Sequence, residues 1–549
     1  MKCSTKLPVG WFAARRTALL ACLIGLLALA LAPAARADGP AFLVRDINTR
    51  PFEEHMSNPS NLIAVGNTIY FLAETQKTGP ELWRTDGTDA GTRLVKDIAP
   101  GSEGAFVYGP ARMANVDGTL FFTADEGAIS GELWKSDGTD AGTVPVKSRA
   151  ISPGYPLASL TSVGETLFFL AESVASGSQL WKSDGTDAGT VPLTLTGGYS
   201  NPSSLLNVAG TLFFVAYGNG GRAALWKSDG TAAGTLFVKA IGEPVPVLLT
   251  DVNGTLFFAA NDGHSGYELW KSDGTTAGTV QVKDIHPGPN SSDPTNLTGV
   301  NGTLFFVADD GSSGYELWRS DGTDAGTKRV IDLILGPHGS RPAGLANVNG
   351  ALFFAGTDGS SGYEIWRSDG TAAGTRLIAD IASGSLSSSP RSFTLAGNYL
   401  FFSADDGNTG QELWAIRSGV DAYLQTPVLT GAAPGGAAGI PIRYGNLGLT
   451  GADALTLTAA LDPALSYVGD SSGITPTISG KTVSWRLPPV DFNGRGDFTV
   501  WVHAPSVAFG ARYPIVLTLT TASETHPPDN IAQVQVMIAH QVYLPVVQR

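Results

Sequence analysis

The side chains best suited to chemistry in this sequence are carboxylates in Gly- and Ser-rich stretches. Oxygen-rich stretches of this kind suit calcium, and a calcium site near Asp309, Asp310, Asp405 and Asp406 is one hypothesis. The full calcium-loop spacing D-x-[DN]-x-[DN]-G is absent, so a solvated acidic rim is the competing interpretation, and no other cofactor is predicted. The candidate ligand-binding residues are Asp262, Asp309, Asp310, Asp358, Asp405 and Asp406.

A second set of carboxylates precedes tryptophans by two residues. Its members are Glu81, Glu132, Glu268, Glu316, Glu364 and Glu412, and Gln179 and Ala224 stand at the same place in two further copies. Because a catalytic acid is not needed six times, we expect these side chains to make buried hydrogen bonds. The tryptophans beside them could stack on sugars, but their regular placement next to Leu favours packing.

Motifs for catalysis are missing. The sequence contains no H-E-x-x-H, no G-x-S-x-G and no phosphate-binding glycine loop, and its histidines are scattered. A glycosidase needs two unique carboxylates at a defined separation, whereas the acids here are repeated. We therefore expect no catalytic residue.

The elements that position these residues form a repeat. The phrase Y-E-L-W-K-S-D-G-T-x-A-G-T occurs in eight variants, 44 to 51 residues apart, and a period of this size indicates one repeated supersecondary unit. Its tryptophans are Trp83, Trp134, Trp181, Trp226, Trp270, Trp318, Trp366 and Trp414.

Each unit is predicted to be a four-stranded antiparallel sheet. In residues 297–331, Asn301-Gly302 is a hairpin signal between two apolar strands, and the E-L-W strand precedes an Asp-Gly-Thr turn. Both faces of the sheet are apolar, as in the blades of a β-propeller; a linear array of sheets is the alternative. Residues 42–47 resemble a fourth strand without its first three, and the eighth unit lacks its fourth strand. We therefore predict an eight-bladed β-propeller over residues 41–417, closed by the N-terminal strand.

The repeated E-L-W-x-x-D-G-T resembles the bacterial ELWxxDGT-repeat proteins, and seven units keep the Asp-Gly-Thr. This resemblance covers about two thirds of the chain. It implies export and a repeat architecture, and it implies no particular activity.

A second domain begins after the repeats. Alternating strands such as 455–458, 482–485, 498–502 and 515–519 are typical of a β-sandwich. The motifs at 443–448, 461–468 and 530–534 resemble the DUF11-type surface-protein domain, which is immunoglobulin-like. The predicted organisation is a signal peptide at 1–37, the propeller at 38–417, the sandwich at 418–541 and a tail at 542–549.

The N-terminus is read as a secretory signal. A basic segment containing Arg15-Arg16 precedes an apolar stretch and the small-x-small motif Ala35-Arg36-Ala37. A membrane anchor, lipidation at Cys22 and twin-arginine export are alternatives. Both cysteines, Cys3 and Cys22, lie in this segment, so the mature chain would contain no thiol. We expect a secreted or cell-surface protein with no transmembrane span after cleavage.

Net charge restricts the partners. Residues 1–37 carry five basic residues and no acid, so their removal changes the net charge from −14 to −19. This charge argues against nucleic acid and anionic membranes. It fits cations, basic proteins or neutral glycans, although solubility alone also explains it.

The two ends of each sheet are expected to differ in function. Strand direction places the Asn-Gly and Ser-Asp-Gly-Thr turns at one end, here called the turn end. There, aspartates such as Asp137 and Asp273 would support the backbone, and cation binding is the alternative. The second turns and the links between units lie at the other, the loop end, together with Asp97, Asp284, Asp332 and Asp380. Because varied loops on a rigid scaffold usually bind ligands, we expect a monomeric, non-enzymatic protein that binds a glycan or an extracellular or surface protein, or that serves surface architecture. The alternative is a carbohydrate-active enzyme, a glycosidase or lyase, on the same scaffold.

Overall fold

The computed structural model describes residues 40–48, 56–75, 77–102, 104–106, 112–125, 132–147, 151–152, 157–173, 177–193, 200–218, 221–242, 246–492, 494–521 and 530–539. They form an all-β structure of 42 strands. The predicted signal peptide with both cysteines and the predicted tail at 542–549 lie outside the described residues. Within the described part of the chain, no helix is long and apolar enough to cross a membrane.

Strand β1 (Ala41–Arg45) precedes the repeats. The first four repeats each form one four-stranded antiparallel sheet. Their strands are β2 (Ser60–Val65), β3 (Thr68–Thr75), β4 (Gly79–Thr85) and β5 (Arg93–Lys96); β6 (Met113–Val116), β7 (Thr119–Ala124), β8 (Glu132–Ser136) and β9 (Val144–Pro145); β10 (Ala158–Val163), β11 (Thr166–Ser173), β12 (Gly177–Ser183) and β13 (Val191–Pro192); and β14 (Ser200–Val208), β15 (Thr211–Tyr217), β16 (Ala223–Ser228) and β17 (Leu236–Ala240).

The remaining repeats continue the pattern, and the eighth contributes only three strands of its own. Their strands are β18 (Val247–Val252), β19 (Thr255–Asn261), β20 (Tyr267–Ser272) and β21 (Val280–Lys283); β22 (Thr295–Val300), β23 (Thr303–Asp309), β24 (Tyr315–Ser320) and β25 (Lys328–Arg329); β26 (Ala343–Val348), β27 (Ala351–Gly356), β28 (Glu364–Ser368) and β29 (Arg376–Ala379); and β30 (Arg391–Ala396), β31 (Tyr399–Asp405) and β32 (Gln411–Arg417).

Strand β1 completes the eighth sheet. It pairs antiparallel with β32, with Ala41 opposite Ile416 and Phe42 opposite Ala415. The sequence predicted this pairing from the surplus strand at one end of the repeats and the vacancy at the other. The resulting sheet has the order β1-β32-β31-β30.

The sixth repeat shows why the sequence folds in this way. Asn301 and Gly302 have φ values of 48° and 78° between β22 and β23, as a two-residue hairpin turn with positive φ at both positions requires. The first strand begins two residues earlier than the sequence predicted. It also contains a bulge at Asn296, whose φ is 53°, and the repetition gives no signal for this bulge.

Contacts pass from each sheet to the next and from the last to the first. The first strand of each sheet contacts that of its neighbour in the order β2, β6, β10, β14, β18, β22, β26 and β30, and β30 also contacts β2. Hydrogen bonds follow the same order. The Thr298 hydroxyl donates to the Leu345 carbonyl at 3.1 Å, and Thr394 donates to the Leu62 carbonyl at 3.3 Å.

The core of the repeats lies between neighbouring sheets. Phe306 and Trp318 of the sixth repeat pack in one cluster with Phe257 and Leu269 of the fifth. Because both faces of each sheet meet a neighbour, the second and third strands carry apolar residues on both faces, in accordance with their sequence.

The second domain has two sheets around one hydrophobic core. The four-stranded sheet has the order β33-β35-β40-β37 and the six-stranded sheet the order β34-β42-β41-β36-β39-β38. The strands are β33 (Ala422–Gln425), β34 (Leu429–Ala432), β35 (Ala437–Asn446), β36 (Leu455–Leu461), β37 (Ser466–Asp470), β38 (Thr477–Ser479), β39 (Thr482–Leu487), β40 (Arg495–His503), β41 (Arg512–Thr520) and β42 (Ile531–Ile538).

This domain is tied to the eighth repeat by specific contacts. The backbone N–H of Leu449 donates to the Arg417 carbonyl at 2.9 Å. Phe492 is only 5% exposed and belongs to the same core cluster as Trp414 and Ile416.

Candidate functional site: the two ends of the repeats

At the turn end, the repeated aspartates hold their own backbone. The Asp273 carboxylate accepts hydrogen bonds from the Thr275 backbone N–H at 2.8 Å and from its hydroxyl at 2.7 Å. These bonds, the hydroxyl first, lower the pKa of Asp273. Gly274 has a φ of 82°. The same contacts recur at Asp86, Asp137, Asp184, Asp229, Asp321 and Asp369. The predicted structural role of Asp137 and Asp273 is therefore confirmed.

Lysines from one repeat reach the turn of the next. Lys227 Nζ donates to the Gly274 carbonyl at 3.0 Å, and Lys271 Nζ donates to the Gly322 carbonyl at 2.9 Å. At the turn end, the aspartates thus hold each turn, and the lysines hold neighbouring repeats together.

The glutamates that precede the tryptophans are buried hydrogen-bond acceptors. Glu268 is fully buried and accepts the Ile285 N–H at 2.9 Å, the Ser292 N–H at 3.0 Å and the Ser292 hydroxyl at 2.7 Å. Burial raises the pKa of Glu268, and it outweighs these hydrogen bonds, which lower the pKa. The same position is fully buried in Glu81, Glu316, Glu364 and Glu412. The predicted buried role is confirmed for these five.

Glu132 departs from this pattern because it is half-buried and accepts only the Trp134 indole N–H, at 3.3 Å, among the described residues. Where the acid is missing, Gln179 is exposed and Ala224 is buried.

The tryptophans pack between sheets. Seven of them are between 3% and 9% exposed, and Trp181 is half-buried. A ring that stacks on a sugar must offer a free face, so the packing interpretation is confirmed for these seven.

At the loop end, the six predicted ligand-binding aspartates lie on the second turns of four different repeats. One oxygen of Asp310 accepts the N–H groups of Ser312 and Ser313, both at 2.9 Å, and both serine hydroxyls. Burial opposes ionisation, but these bonds outweigh it and lower the pKa of Asp310 to about 2. Asp262, Asp358 and Asp406 hold their loops in the same way. Asp309 and Asp405 each accept one glycine N–H.

The aspartates that end the fourth strands also support loops. Asp284 and Asp380 accept the N–H of Gly288 and Gly384. Arg329 lies between Asp310, at 3.6 Å, and Asp332, at 3.4 Å. Among the residues that the structure describes, no three Asp, Glu, His or Cys side chains come together as a metal site would require. Calcium binding at Asp309, Asp310, Asp405 and Asp406 therefore stays a prediction, because the described residues do not bring three such ligands together.

A cavity of about 210 Å³ lies at the loop end of the first repeat, and the sequence did not single it out. Its lining includes Asn58, Glu74, Pro80 and Phe106. Glu74 accepts a hydrogen bond from the Asn58 amide at 2.5 Å. Pro80 stands where the fifth repeat has Tyr267, and Phe106 lies in a link of varied sequence, so the repeated pattern gave no signal for this cavity.

No family model matches this chain, and no curated protein matches it significantly. Among solved structures, the apo form of prolyl oligopeptidase B from Galerina marginata aligns at 10% identity and a TM-score of 0.39. That alignment covers 71% of this chain and 56% of the peptidase, so the chain spans little more than half of that protein. The seventh ScaB type I cohesin from Pseudobacteroides cellulosolvens aligns at 12% identity and a TM-score of 0.18, covering 24% of this chain and 99% of the cohesin. Similarities at these scores carry no information about function.

Proposed function

We propose that residues 41–417 form an eight-bladed β-propeller closed by the N-terminal strand, and that residues 418–541 form an immunoglobulin-like sandwich. The buried glutamates support closure. Glu268, Glu316 and Glu364 each bind the serine that opens the following repeat, at Ser292, Ser340 and Ser388. Glu412 of the eighth repeat binds Ser57, which precedes the first, at 2.9 Å. The same bond thus recurs where the last repeat meets the first.

The protein is an exported, non-enzymatic scaffold that binds a glycan or an extracellular protein, or serves surface architecture, through its loop end. One observation carries this proposal: the recurring carboxylates hold the backbone. The fully buried glutamates cannot reach a substrate, and the turn aspartates are occupied by their own threonines. What differs between repeats is the loop end.

Exposed apolar side chains support the loop end as a contact surface. Leu335 is 86% exposed on the link after the sixth repeat, and Leu386 is 63% exposed on the link after the seventh. Contiguous exposed apolar surface marks binding sites, and these two leucines lie on the links of adjacent repeats. The cavity at Glu74 lies at the same end of the repeats.

The test is an array of glycans and extracellular proteins probed with the purified protein, with product analysis for every ligand that binds. We expect retention of at least one ligand without turnover. Cleavage of a bound glycan would favour the carbohydrate-active alternative instead.

A pair of variants tests which end binds. The loop-end variant combines Glu74→Gln, Leu335→Ser and Leu386→Ser, because among the described residues none of these side chains holds its own loop. The control combines Asp140→Asn, Asp187→Asn and Asp324→Asn, which are exposed at the turn end. We expect the loop-end variant to lose binding at least tenfold and the control to keep it. The reverse result would place the site at the turn end.

A further inference from the structure

One tryptophan of the second domain is exposed on the surface of a sheet. Trp501 lies in β40 between Val500 and Val502, which are 2% and 0% exposed. Because side chains alternate between the two faces of a strand, the Trp501 indole projects from the outer face of the four-stranded sheet. Trp501 is 38% exposed, more than any other described tryptophan. Unlike the tryptophans of the repeats, it therefore has ring surface free to meet a ligand.

Glycines flank this ring on both neighbouring strands. Gly439 of β35 and Gly469 of β37 are the residues directly opposite Trp501. A Cβ at Gly439 would lie 3.1 Å from the indole Nε1, so the ring leans toward β35 and uses the space that a side chain would take. Nothing lies within 4 Å of the Cβ position at Gly469. The surface above β37 is therefore open next to the indole.

Polar side chains stand beside the ring on the same face of β40. Thr499 is half-buried and His503 is exposed, and neither side chain is bonded to another described residue. Farther along this face, Arg443 and Asp497 are paired with each other, with 2.8 Å between Nε and Oδ1. The surroundings of the ring thus suit an uncharged ligand with hydroxyl groups, and the net charge of −14 disfavours an anionic one.

A pyranose ring has the chemistry that this surface would recognise. The axial C–H groups of a glucose ring form an apolar face with slightly positive hydrogens, whereas the face of an indole is negative. The equatorial hydroxyls of the sugar point outward from its edge, toward positions such as those of Thr499 and His503. Because the glycines leave the surface without side walls, an extended, flat chain fits it better than a coiled one does.

We propose that Trp501 is a stacking platform for a neutral, extended glycan of glucose-type rings joined by β-linkages. One sugar ring lies against the indole, and its hydroxyls meet Thr499 and His503. The platform belongs to the core-supported strand β40, so it is formed before the ligand arrives, and a preformed surface lowers the entropic cost of binding. This site lies in the second domain and does not depend on the function proposed for the loop end of the repeats.

The test titrates cellotetraose into the full-length protein and follows the sugar by saturation-transfer difference NMR. One stacked ring on an open surface should give a Kd of about 1 mM. We expect Trp501→Ala to weaken binding at least tenfold. Val516→Ala is the matched control and should leave binding unchanged, because Val516 is also 38% exposed but lies on the outer face of the other sheet. Tetragalacturonate, which adds a carboxylate to each ring, should bind at least fivefold more weakly than cellotetraose.

A second variant keeps the indole and covers the space beside it. Gly469 does not have a positive φ and has an open Cβ position, so Gly469→Thr should leave the melting temperature unchanged and weaken cellotetraose binding at least fivefold. Unchanged binding in either Trp501→Ala or Gly469→Thr would overturn the proposal. So would an equal loss in Val516→Ala, tetragalacturonate binding as tight as that of cellotetraose, or no binding of cellotetraose at 10 mM, about ten times the expected Kd.

Discussion

Each Ser-Asp-Gly-Thr turn uses every side chain for its own backbone. In the fifth repeat, Ser272 accepts the Gly274 N–H at 3.0 Å while Asp273 holds Thr275. The second glycine of the repeated phrase, Gly278 in this repeat, is required for an equally local reason. A Cβ at Gly278 would lie 2.2 Å from the Asp273 carboxylate, so the repeated Gly makes room for the repeated Asp.

Gly274→Val should destabilise the protein by about 2 kcal/mol or more, because a β-branched residue resists positive φ. Its Cβ would also meet the Phe213 ring of the preceding repeat at 3.1 Å. Gly263→Val is the control, since its φ of 85° is similar and nothing lies within 4 Å of its Cβ. Chemical denaturation should show a clearly larger loss at Gly274. Equal losses would mean that contact with the neighbouring repeat contributes nothing.

The buried glutamates predict how stability depends on pH. Burial raises the pKa of Glu81 and Glu412 to about 7, and it raises those of Glu268, Glu316 and Glu364 above 4.5. The folded protein then binds protons more tightly than the unfolded chain does. The stability from these groups is full below pH 4.5 and is lost as the pH rises through about 7. The turn aspartates, whose pKa is lowered, act oppositely, since their contribution is lost as the pH falls below 3.8.

We therefore expect the melting temperature to fall between pH 5 and pH 8, as measured by calorimetry at constant ionic strength. Glu412→Gln should flatten this decline, because the amide cannot ionise. A melting temperature that rises over this range would show that the hydrogen bonds to the carboxylates outweigh their burial.

At the scale of elements, β1 is the strand on which the last sheet depends. Val44 packs with Phe401 and Leu413, and the Arg417 guanidinium lies 5.1 Å from the centre of the Phe42 ring. Deletion of residues 40–47 should expose β32 as a sheet edge, which favours aggregation, and should lower the melting temperature.

A peptide with the sequence of residues 40–48, added in excess, should restore part of the melting temperature. A peptide in which Phe42 and Val44 are replaced by Ser is the control for this rescue. If the deletion leaves both melting and size-exclusion behaviour unchanged, β1 does not hold the last sheet together.

The sequence allowed the strands, the turns and the pairing of β1 to be predicted because repetition amplifies their signals. Asn301-Gly302 indicated its turn, and the six repeated glutamates indicated a structural role. The bulge at Asn296 and the cavity at Glu74 could not be predicted from the repetition. A bulge depends on pairing that no local pattern reports, and the cavity depends on Pro80 and Phe106, which the other repeats do not share.

At the scale of the whole molecule, Phe492 joins the second domain to the repeats. Phe492→Ala should destabilise the contact between the second domain and the eighth repeat by about 3–5 kcal/mol, the usual effect of truncating a buried Phe. We expect faster proteolytic cleavage near residues 417–421 while the separate domains keep their structure. Phe509→Ala is the control, because Phe509 is 49% exposed. Equal cleavage rates in the two variants would show that Phe492 does not hold the joint.

The position of β1 also determines how the repeats respond to force. Ala41, where the chain enters the last sheet, lies opposite Ile416, next to where the chain leaves it. Tension between the N-terminus and the second domain therefore pulls on the same end of one antiparallel strand pair. Its hydrogen bonds break one after another, starting at Ala41, and are not loaded together. Seven of the eight repeats lie outside the path of this load. The ring that we propose should resist heat and yet open at low force when pulled from its two termini.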